Sequence, residues 1–299
     1  MLEGTTFLVT GATGRIGVEL ARRIEDLGAA CLPLVFGGYP DQPKRTAWSA
    51  RTKPIRIAGP DDLQDVFHPD HVINCHWEVD RGLSFTEQLI FEIKSNLHSP
   101  AYLWDWLSQG ELRSFVNVSS IKIFSPLNKN PISSATEPRP GTPYGIAKLA
   151  AEKFFDAHFH DSNIPVMHLR LCSVMAAGGH PSQLTSQLIS SLFQNKRIRI
   201  NRGRLTYFLY IDEVVDLIIK AALEARSGRY NLTSTGIPNE RISELFGRIA
   251  GREVDAEYVD FDPTVTDPVF VSDIDRFQAS WVRRTSLEQA IDKIIKTSA

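Results

Sequence analysis

The sequence has few cysteines, no imbalance of charge and no long apolar run. Three cysteines stand far apart in 299 residues without a CxxC pair, which excludes a disulfide framework and fits a reducing compartment. The 33 Lys and Arg residues nearly balance the 35 Asp and Glu residues, so no nucleic-acid or membrane surface is expected. No stretch of about 18 apolar residues occurs, and the first residues carry no basic leader region. We therefore expect a cytoplasmic protein whose partners are small molecules.

What the sequence does contain is an alternation of short apolar runs with helical segments, the pattern of βαβ units in an α/β protein with a parallel sheet. Strands are predicted at Thr5–Thr10, Ala30–Phe36, Ile55–Ile57, His71–Cys75, Ser114–Ser119 and Pro165–Leu171, and helices at Ile16–Leu27, Leu83–Ser108 and Tyr144–His160. The alternation becomes irregular after Leu171. We expect a main domain of residues 1–172 and 205–235 and a smaller lobe of residues 173–204 and 236–299.

A glycine-rich turn joins the first strand to the first helix. It reads Thr10-Gly11-Ala12-Thr13-Gly14-Arg15-Ile16-Gly17, a GxxGxxG motif. Glycines let the backbone approach a pyrophosphate, and a helix N-terminus offers free N–H groups and partial positive charge. The strand before and the helix after are the context that a dinucleotide site requires. A tight βα turn without a ligand is the alternative.

The end of the second strand bears on the choice of dinucleotide. NAD sites usually place an acid there for the ribose 2′-hydroxyl, but the strand runs into Phe36-Gly37-Gly38, and Asp41 lies beyond. Arg15, with Lys44 and Arg45, could face a 2′-phosphate, which favours NADP over NAD. These three residues could equally be solvated surface cations.

Tyr144-Gly145-Ile146-Ala147-Lys148 and Ser119-Ser120 are candidates for the chemistry. Positions i and i+4 share a helix face, so Tyr144 and Lys148 can face one cleft. A nearby ammonium and an oxidised nicotinamide would favour the phenolate of Tyr144 as an acid/base. Ser120 ends a parallel strand, where α/β sheets bind ligands. The alternatives are a surface Tyr–Lys pair and a serine that only forms a turn.

These motifs together resemble the extended short-chain dehydrogenase/reductase family, also called NAD-dependent epimerase/dehydratases. Further segments continue the likeness in the same order: Asp62-Leu63-Gln64-Asp65, Leu169-Arg170, Tyr210-Ile211-Asp212-Glu213-Val214, Gly228-Arg229-Tyr230-Asn231 and Ser286-Leu287-Glu288-Gln289-Ala290. The resemblance implies a Rossmann-like, doubly wound parallel sheet with a smaller C-terminal substrate-binding lobe. It also implies a homodimer that pairs through the helices around Phe85–Leu107 and Tyr144–His160, whose many apolar side chains support the expectation.

The resemblance also implies residue roles. The pyrophosphate would contact Gly11, Gly14, Arg15, Ile16 and Gly17, and the adenine would border Asp62 and Leu63. Tyr144 would be the acid/base, Lys148 would hold the ribose and lower the Tyr144 pKa, Ser120 would bind the reacting oxygen, and Asn96 would support the lysine. Asn96 could instead be a buried polar group bonded to backbone.

Several positions depart from the family pattern. His76-Trp77 stands where relatives have small residues and would crowd the nicotinamide side, although His76 could be a core histidine. Ser173 replaces the usual asparagine. Thr206 and Thr264 stand where nucleotide-sugar enzymes carry arginines, a role that Arg202 or Arg204 could take. Dehydratases of the family carry Asp-Glu after the serine, but this chain has Ile121-Lys122, which disfavours dehydration. Lys122 could be a second acid/base or a solvated lysine.

The expected function is an NAD(P)-dependent oxidoreductase that acts on a sugar-like secondary alcohol or ketone. A nucleotide-sugar 4-epimerase or ketoreductase fits the Ser-Tyr-Lys set. The alternatives are a reductase of a non-nucleotide carbonyl compound and a catalytically silent dinucleotide sensor.

Overall fold

The computed structural model describes residues 2–36, 49–64, 66–179, 181, 183–261 and 267–298. Seven positions named above, namely Gly37, Gly38, Asp41, Lys44, Arg45, Asp65 and Thr264, lie outside the described residues.

The strands and helices alternate as an α/β protein requires. The strands are β1 (Thr6–Thr10), β2 (Ala30–Phe36), β3 (Ile55–Ile57), β4 (His71–Asn74), β5 (Ser114–Ser120), β6 (Val166–Leu171), β7 (Ser173–Met175), β8 (Ile198–Arg202), β9 (Leu205–Thr206), β10 (Phe208–Tyr210), β11 (Gly228–Leu232), β12 (Ile237–Pro238) and β13 (Ala256–Asp260). The helices are α1 (Arg15–Asp26), α2 (Phe85–Ile93), α3 (Ala101–Ser108), α4 (Pro143–His158), α5 (Leu184–Gln194), α6 (Ile211–Glu224), α7 (Asn239–Ala250) and α8 (Leu287–Ser298).

Seven strands form one parallel sheet in the order β11-β6-β5-β4-β1-β2-β3, which confirms the predicted fold class. The chain adds β2 and β3 on one side of β1 and then returns to place β4 on the other side. A crevice opens at the carboxyl ends of the strands where the direction of winding changes, and ligands bind in this crevice in open α/β sheets. Here it lies between Gly11, which follows β1, and Cys75, which follows β4.

Helices cover both faces of the sheet. Along β1, Phe7 and Val9 pack into a core with α1 and α6, whereas Leu8 packs into a second core with α3 and α4. This alternation is the period of two that a strand imposes on its side chains. A third core joins α5, α7 and α8. Its residues fall mainly in the segments assigned to the smaller lobe, whose separate role in binding substrate stays a prediction.

The helix expected over residues 83–108 is two helices. After α2 the chain forms a π-helical turn at Lys94–His98, and it breaks at Pro100 before α3 begins. Proline has no backbone N–H and clashes with the preceding turn, so a continuous helix cannot run through position 100.

Polar side chains form a buried row across the middle of the sheet. Thr10, Asn74, Asn117 and His168 are register partners on β1, β4, β5 and β6. The Thr10 hydroxyl donates to Asn74 Oδ1 at 2.6 Å, Asn74 Nδ2 donates to Asn117 Oδ1 at 3.2 Å, and Asn117 Nδ2 lies 3.2 Å from His168 Nδ1. His168 Nε2 lies 2.9 Å from Asp156 on α4. The row therefore hydrogen-bonds four neighbouring strands to a helix.

The described helices include none with the length and apolar character needed to cross a lipid bilayer.

Candidate active site

The glycine-rich turn is packed too tightly for side chains. A Cβ atom on Gly11, whose φ is +64°, would lie 2.7 Å from His76 Cα, and one on Gly17 would lie 2.3 Å from the Gly11 carbonyl oxygen. Helix α1 begins at Arg15 after Gly14, which has no side chain to cap the first N–H groups, and no acid stands in the first turn. The turn therefore presents backbone donors and the positive end of the helix to the crevice, and it fits a pyrophosphate.

Arg15 reaches across the crevice. Its guanidinium donates to the Gly178 carbonyl oxygen at 3.1 Å and to Gln183 Oε1 at 3.4 Å. Ile16 is half-buried and packs against the α1–α6 core. Of the three cations that favoured NADP, Arg15 is thus directed toward the segment before α5, and Lys44 and Arg45 lie outside the described residues.

Asp62 and Leu63 both have structural roles. The Asp62 carboxylate accepts the backbone N–H groups of Ala58 at 2.6 Å and Gly59 at 3.1 Å, which caps a short 3₁₀ turn. Leu63 is buried in the α3–α4 core. Their contact with an adenine stays a prediction.

The structure brings Ser120, Tyr144 and Lys148 together. Helix α4 begins at Pro143, and the Thr142 hydroxyl caps it by accepting the Gly145 N–H at 3.1 Å. Tyr144 and Lys148 then share the face turned toward the carboxyl end of β5. The Tyr144 hydroxyl hydrogen-bonds to Ser120, and the Lys148 ammonium donates to the Val118 carbonyl oxygen at 2.9 Å.

Burial sets the ionisation of the tyrosine and the lysine. It raises the pKa of Tyr144 to about 12, although the hydrogen bond from Ser120 acts in the opposite direction. It also lowers the pKa of Lys148 to about 7. The lowering of the Tyr144 pKa by Lys148 that the resemblance implies is not found in this structure. The ammonium lies 5.9 Å from the centre of the Tyr144 ring and only 3.7 Å from that of Trp77.

Asn96 fixes the backbone after β4 and makes no hydrogen bond to Lys148 among the described residues. Its Oδ1 accepts the Glu78 N–H at 2.6 Å, and its Nδ2 donates to the carbonyl oxygens of Glu78 at 3.0 Å and Glu92 at 2.8 Å. These bonds fit the other interpretation of Asn96, a buried polar group bonded to backbone, and its support of the lysine stays a prediction.

His76 lies under the site as a buried, neutral side chain. It is 7% exposed, packs edge-on against Phe36 with 4.5 Å between ring centres, and burial lowers its pKa to about 4. Its backbone N–H donates to the Thr10 hydroxyl at 3.2 Å. These contacts support a core histidine.

Lys122 and Arg204, the candidate substrate residues, lie within electrostatic range of each other, and Arg81, which the sequence did not single out, also acts on Lys122. The Lys122 side chain is exposed, yet partial desolvation of its ammonium and then the charges of Arg204 and Arg81 lower its pKa, while Asp267 acts in the opposite direction. The positive charges of Arg204 and Arg81 thus both act on Lys122. Ser173 begins β7, and its N–H donates to the Tyr207 carbonyl oxygen at 3.2 Å.

A buried ion pair supports the site from behind. Arg170 donates two N–H groups to the Glu152 carboxylate at 3.0 and 2.8 Å, and the Ser119 hydroxyl donates to the same carboxylate at 2.6 Å. Although burial alone raises the pKa of Glu152, Arg170 holds it below its usual range. Because these residues lie on β5, α4 and β6, the pair fixes Ser120 relative to Tyr144.

The parallel sheet and the glycine-rich turn at its switch point define a Rossmann-like α/β protein. The model of the NAD dependent epimerase/dehydratase family matches residues 7–233, and the chain belongs to that family.

Three similar proteins share the overall length of this chain at low sequence identity. A dTDP-glucose 4,6-dehydratase of Streptomyces griseus is 24% identical over 270 residues, covering 86% of this chain and 82% of the relative. UDP-N-acetylglucosamine 4-epimerase from Methanobrevibacter ruminantium M1, in complex with UDP-N-acetylmuramic acid, has a TM-score of 0.82 at 14% identity and 98% coverage of both chains. MoeE5 in complex with UDP-glucuronic acid and NAD has a TM-score of 0.76 at 20% identity, with coverage of 97% and 98%. The two structures share the fold.

Proposed function

We propose that this protein is a nicotinamide-dinucleotide-dependent oxidoreductase that acts on the sugar of a nucleotide sugar, as a 4-epimerase or ketoreductase. The observation that carries the proposal is the Tyr144–Ser120 hydrogen bond at the carboxyl end of β5, with Lys148 one turn along α4. The family membership and the nucleotide-sugar ligands of its structural relatives support it.

The dinucleotide would be held by the turn at Gly11–Gly17 and by Lys148. When bound, it supplies a hydride acceptor or donor. The protein moves the proton. For reduction, Tyr144 gives its phenolic proton to the carbonyl oxygen, which the Ser120 hydroxyl holds. For oxidation, Tyr144 acts after it has lost that proton, and its phenolate oxygen takes the hydroxyl proton of the substrate alcohol. Because its pKa is about 12, Tyr144 carries its proton at neutral pH and is ready for the reduction step.

Water elimination has no visible catalyst next to Ser120. Ile121 is buried, and Lys122 offers an ammonium where a dehydratase of this type would carry carboxylates. We therefore assign hydride transfer without dehydration.

The positive charges of Lys122, Arg204 and Arg81, which act on one another, favour an anionic substrate over a neutral carbonyl compound. We assign the diphosphate to Lys122 and Arg204, in place of the arginines that positions 206 and 264 lack. Thr206 is already engaged, since its hydroxyl donates to Asn239 Oδ1 at 2.5 Å.

Direct binding measurements test the substrate class. We expect UDP- or dTDP-sugars to raise the melting temperature of the dinucleotide-loaded protein and the matching free sugars to leave it unchanged. Arg204→Gln should reduce the shift, whereas Arg241→Gln, an exposed arginine on α7, should preserve it. Equal shifts by sugars with and without the diphosphate would contradict the assignment.

We further propose that NADP is preferred over NAD, because the described end of β2 carries no acid and Arg15 lies at the turn. Calorimetric titration with each dinucleotide gives the ratio of dissociation constants. A tenfold preference for NAD, about 1.4 kcal/mol, would contradict this proposal without affecting the assignment of the reaction.

A further inference from the structure

A tryptophan covers the buried lysine of the site. The Lys148 ammonium lies 3.7 Å from the centre of the Trp77 ring, and the edge of the Tyr144 ring meets Trp77 with 6.2 Å between centres. On its other side, Trp77 Nε1–H donates to Glu92 Oε2 at 2.9 Å. Glu92 is completely buried, and Gln88 donates to its second oxygen at 2.7 Å. The Trp77 indole thus lies between the Lys148 ammonium and the Glu92 carboxylate and contacts both.

The position of Trp77 is fixed from two directions. Asn96 binds both backbone groups of Glu78, the next residue along the chain, and Glu92 binds the indole itself. Asn96 lies in the π-helical turn that follows α2, and Glu92 lies near the end of α2. Helix α2 and this turn therefore hold the segment that follows β4 in place.

The indole and carboxylate stabilise the ammonium by two additive effects. Trp is the best aromatic partner of a cation, and the attraction is strongest where both are desolvated. A carboxylate that accepts the indole N–H polarises the ring and makes its face more negative. Lys148 is 4% exposed, so this face replaces part of the hydration that its ammonium loses.

We propose that Trp77 and Glu92 are positioning residues, which hold the Lys148 ammonium against the Val118 carbonyl and beside the Tyr144 ring. They act on the reaction only if the proposed function is correct, but their effect on Lys148 exists without it. Neither residue carries a role in the function proposed above. Glu92 does not touch the reacting groups, and Trp77 acts on them through the lysine.

The groups that face the ammonium make this effect measurable. Cys75 and His76 follow β4, Glu92 lies on α2, and Glu152 and Tyr144 lie with Lys148 on α4. Burial lowers the Lys148 pKa to about 7, while the charges of Glu92 and Glu152, and that of Cys75 when its thiol is ionised, act to raise it. At pH 7 and above, Cys75 and Tyr144 remain neutral because burial raises both their pKa values to about 12, and His76, with a pKa of about 4, is neutral as well.

The fluorescence of Trp77 tests the inference on the unliganded protein. The difference between the emission of the wild type and of Trp77→Phe isolates the Trp77 signal, and we expect it to titrate with a midpoint near pH 7. The transition should vanish in Lys148→Met. In Glu92→Gln it should move down by about one pH unit, whereas Glu87→Gln, an acid on the exposed side of α2, should leave it in place. Reference emission for each variant comes from the same protein with Trp77→Phe added.

A second measurement distinguishes stabilisation of the ammonium by an aromatic ring from shielding of Lys148 by any apolar side chain at position 77. Reaction of Lys148 with an amine-specific acylating reagent, followed by mass spectrometry, should be about tenfold faster in Trp77→Leu than in Trp77→Phe, which corresponds to about 1.4 kcal/mol. Equal rates in these variants, a Trp77 signal independent of pH, or an unmoved midpoint in Glu92→Gln would each overturn the inference. None of these outcomes depends on a substrate, so the inference can fail while the proposed function stands, and the reverse.

Discussion

Tyr144 is the residue on which the proposed chemistry depends most directly. Tyr144→Phe removes the proton-transfer group but keeps the ring that packs against Trp77. We expect hydride transfer to fall by about 10²–10⁴-fold and dinucleotide affinity to stay nearly constant, as measured by nicotinamide absorbance and by calorimetry. Tyr258→Phe, a change of an exposed phenol on β13, is the control. Retention of most activity in Tyr144→Phe would place the chemistry on another group.

The burial of Lys148 lowers the stability of the folded protein by an amount that depends on pH. Its pKa is about 7 in the folded protein against 10.5 for a free lysine, so between these values the unfolded chain binds a proton that the folded chain does not. Stability therefore rises with pH across this window. Lys148→Met should stabilise the protein most below pH 7, and the gain should shrink by about 1.4 kcal/mol per pH unit above it.

Denaturant unfolding of both proteins at pH 6, 8 and 9 measures this change. Lys153→Met, an exposed lysine on the same helix, should show no such dependence. A constant difference between Lys148→Met and the wild type at all three pH values would mean that Lys148 titrates normally.

Single residues could be predicted from the sequence where local geometry, such as helix spacing or a position at a strand end, determines their placement. The spacing of Tyr144 and Lys148 on one helix and the place of Ser120 at a strand end are of this kind, and the structure brings all three together. The pKa of Tyr144 was not predictable, because it depends on burial by the whole fold. Glu92 was missed for the same reason, although an acid within the apolar α2 sequence was a signal that could have been followed.

Helix α1 and its glycine-rich turn are the element through which the dinucleotide proposal can be tested. Gly14 has φ −73° and ψ 162°, which valine also adopts, and a new Cβ would lie 3.1 Å from the Gly11 carbonyl oxygen. Gly14→Val should therefore fold, while its side chain blocks the approach of a pyrophosphate. We expect at least a tenfold loss of dinucleotide affinity by calorimetry.

The matched control is Ala157→Val, which adds the same branched side chain at an exposed position near the end of α4. If folded Gly14→Val binds dinucleotide as the wild type does, the binding site lies elsewhere.

At the element scale, prediction succeeded for buried strands and failed inside one helix. The bounds of β2 agree with its apolar run, because a parallel strand buried on both faces is nearly continuously apolar. The bounds of β3, an edge strand that contains the exposed Arg56, agree as well. The π-helical turn in residues 94–98 carried no such signal. Apolar periodicity is nearly the same for an α-helix and for one containing a single wider turn, and the wider turn is stabilised here by bonds between Asn96 and a different segment.

At the scale of the whole molecule, the helices predicted to form the homodimer expose fewer apolar side chains than their sequences suggested. Many apolar side chains of these two helical segments are buried within the chain itself, among them Leu97, Leu103, Trp104, Phe155 and Phe159. Helix α2 nevertheless leaves Ile90 61% and Phe85 54% exposed, and exposed large apolar side chains can mark an interface.

We expect a dimer that pairs through α2 and α4, with a mass by light scattering twice that of the chain at micromolar concentration. Ile90→Glu should shift it to the monomer, whereas Leu127→Glu, equally exposed but outside both helices, should not. A wild-type mass equal to one chain, constant as the concentration rises, would contradict the dimer.

The polar row through Thr10, Asn74, Asn117 and His168 has a consequence for how the chain finds its native pairing. Apolar strands of similar composition can slide past one another with little loss, since most residues remain buried in either alignment. A shift of one strand here would separate buried amides from their partners and leave them without hydrogen bonds, at about 1–3 kcal/mol for each group. The segments joined in this way are distant in sequence and must meet by diffusion, which makes parallel sheets slow to assemble. The row thus makes a misaligned pairing of these four strands less stable than the native pairing.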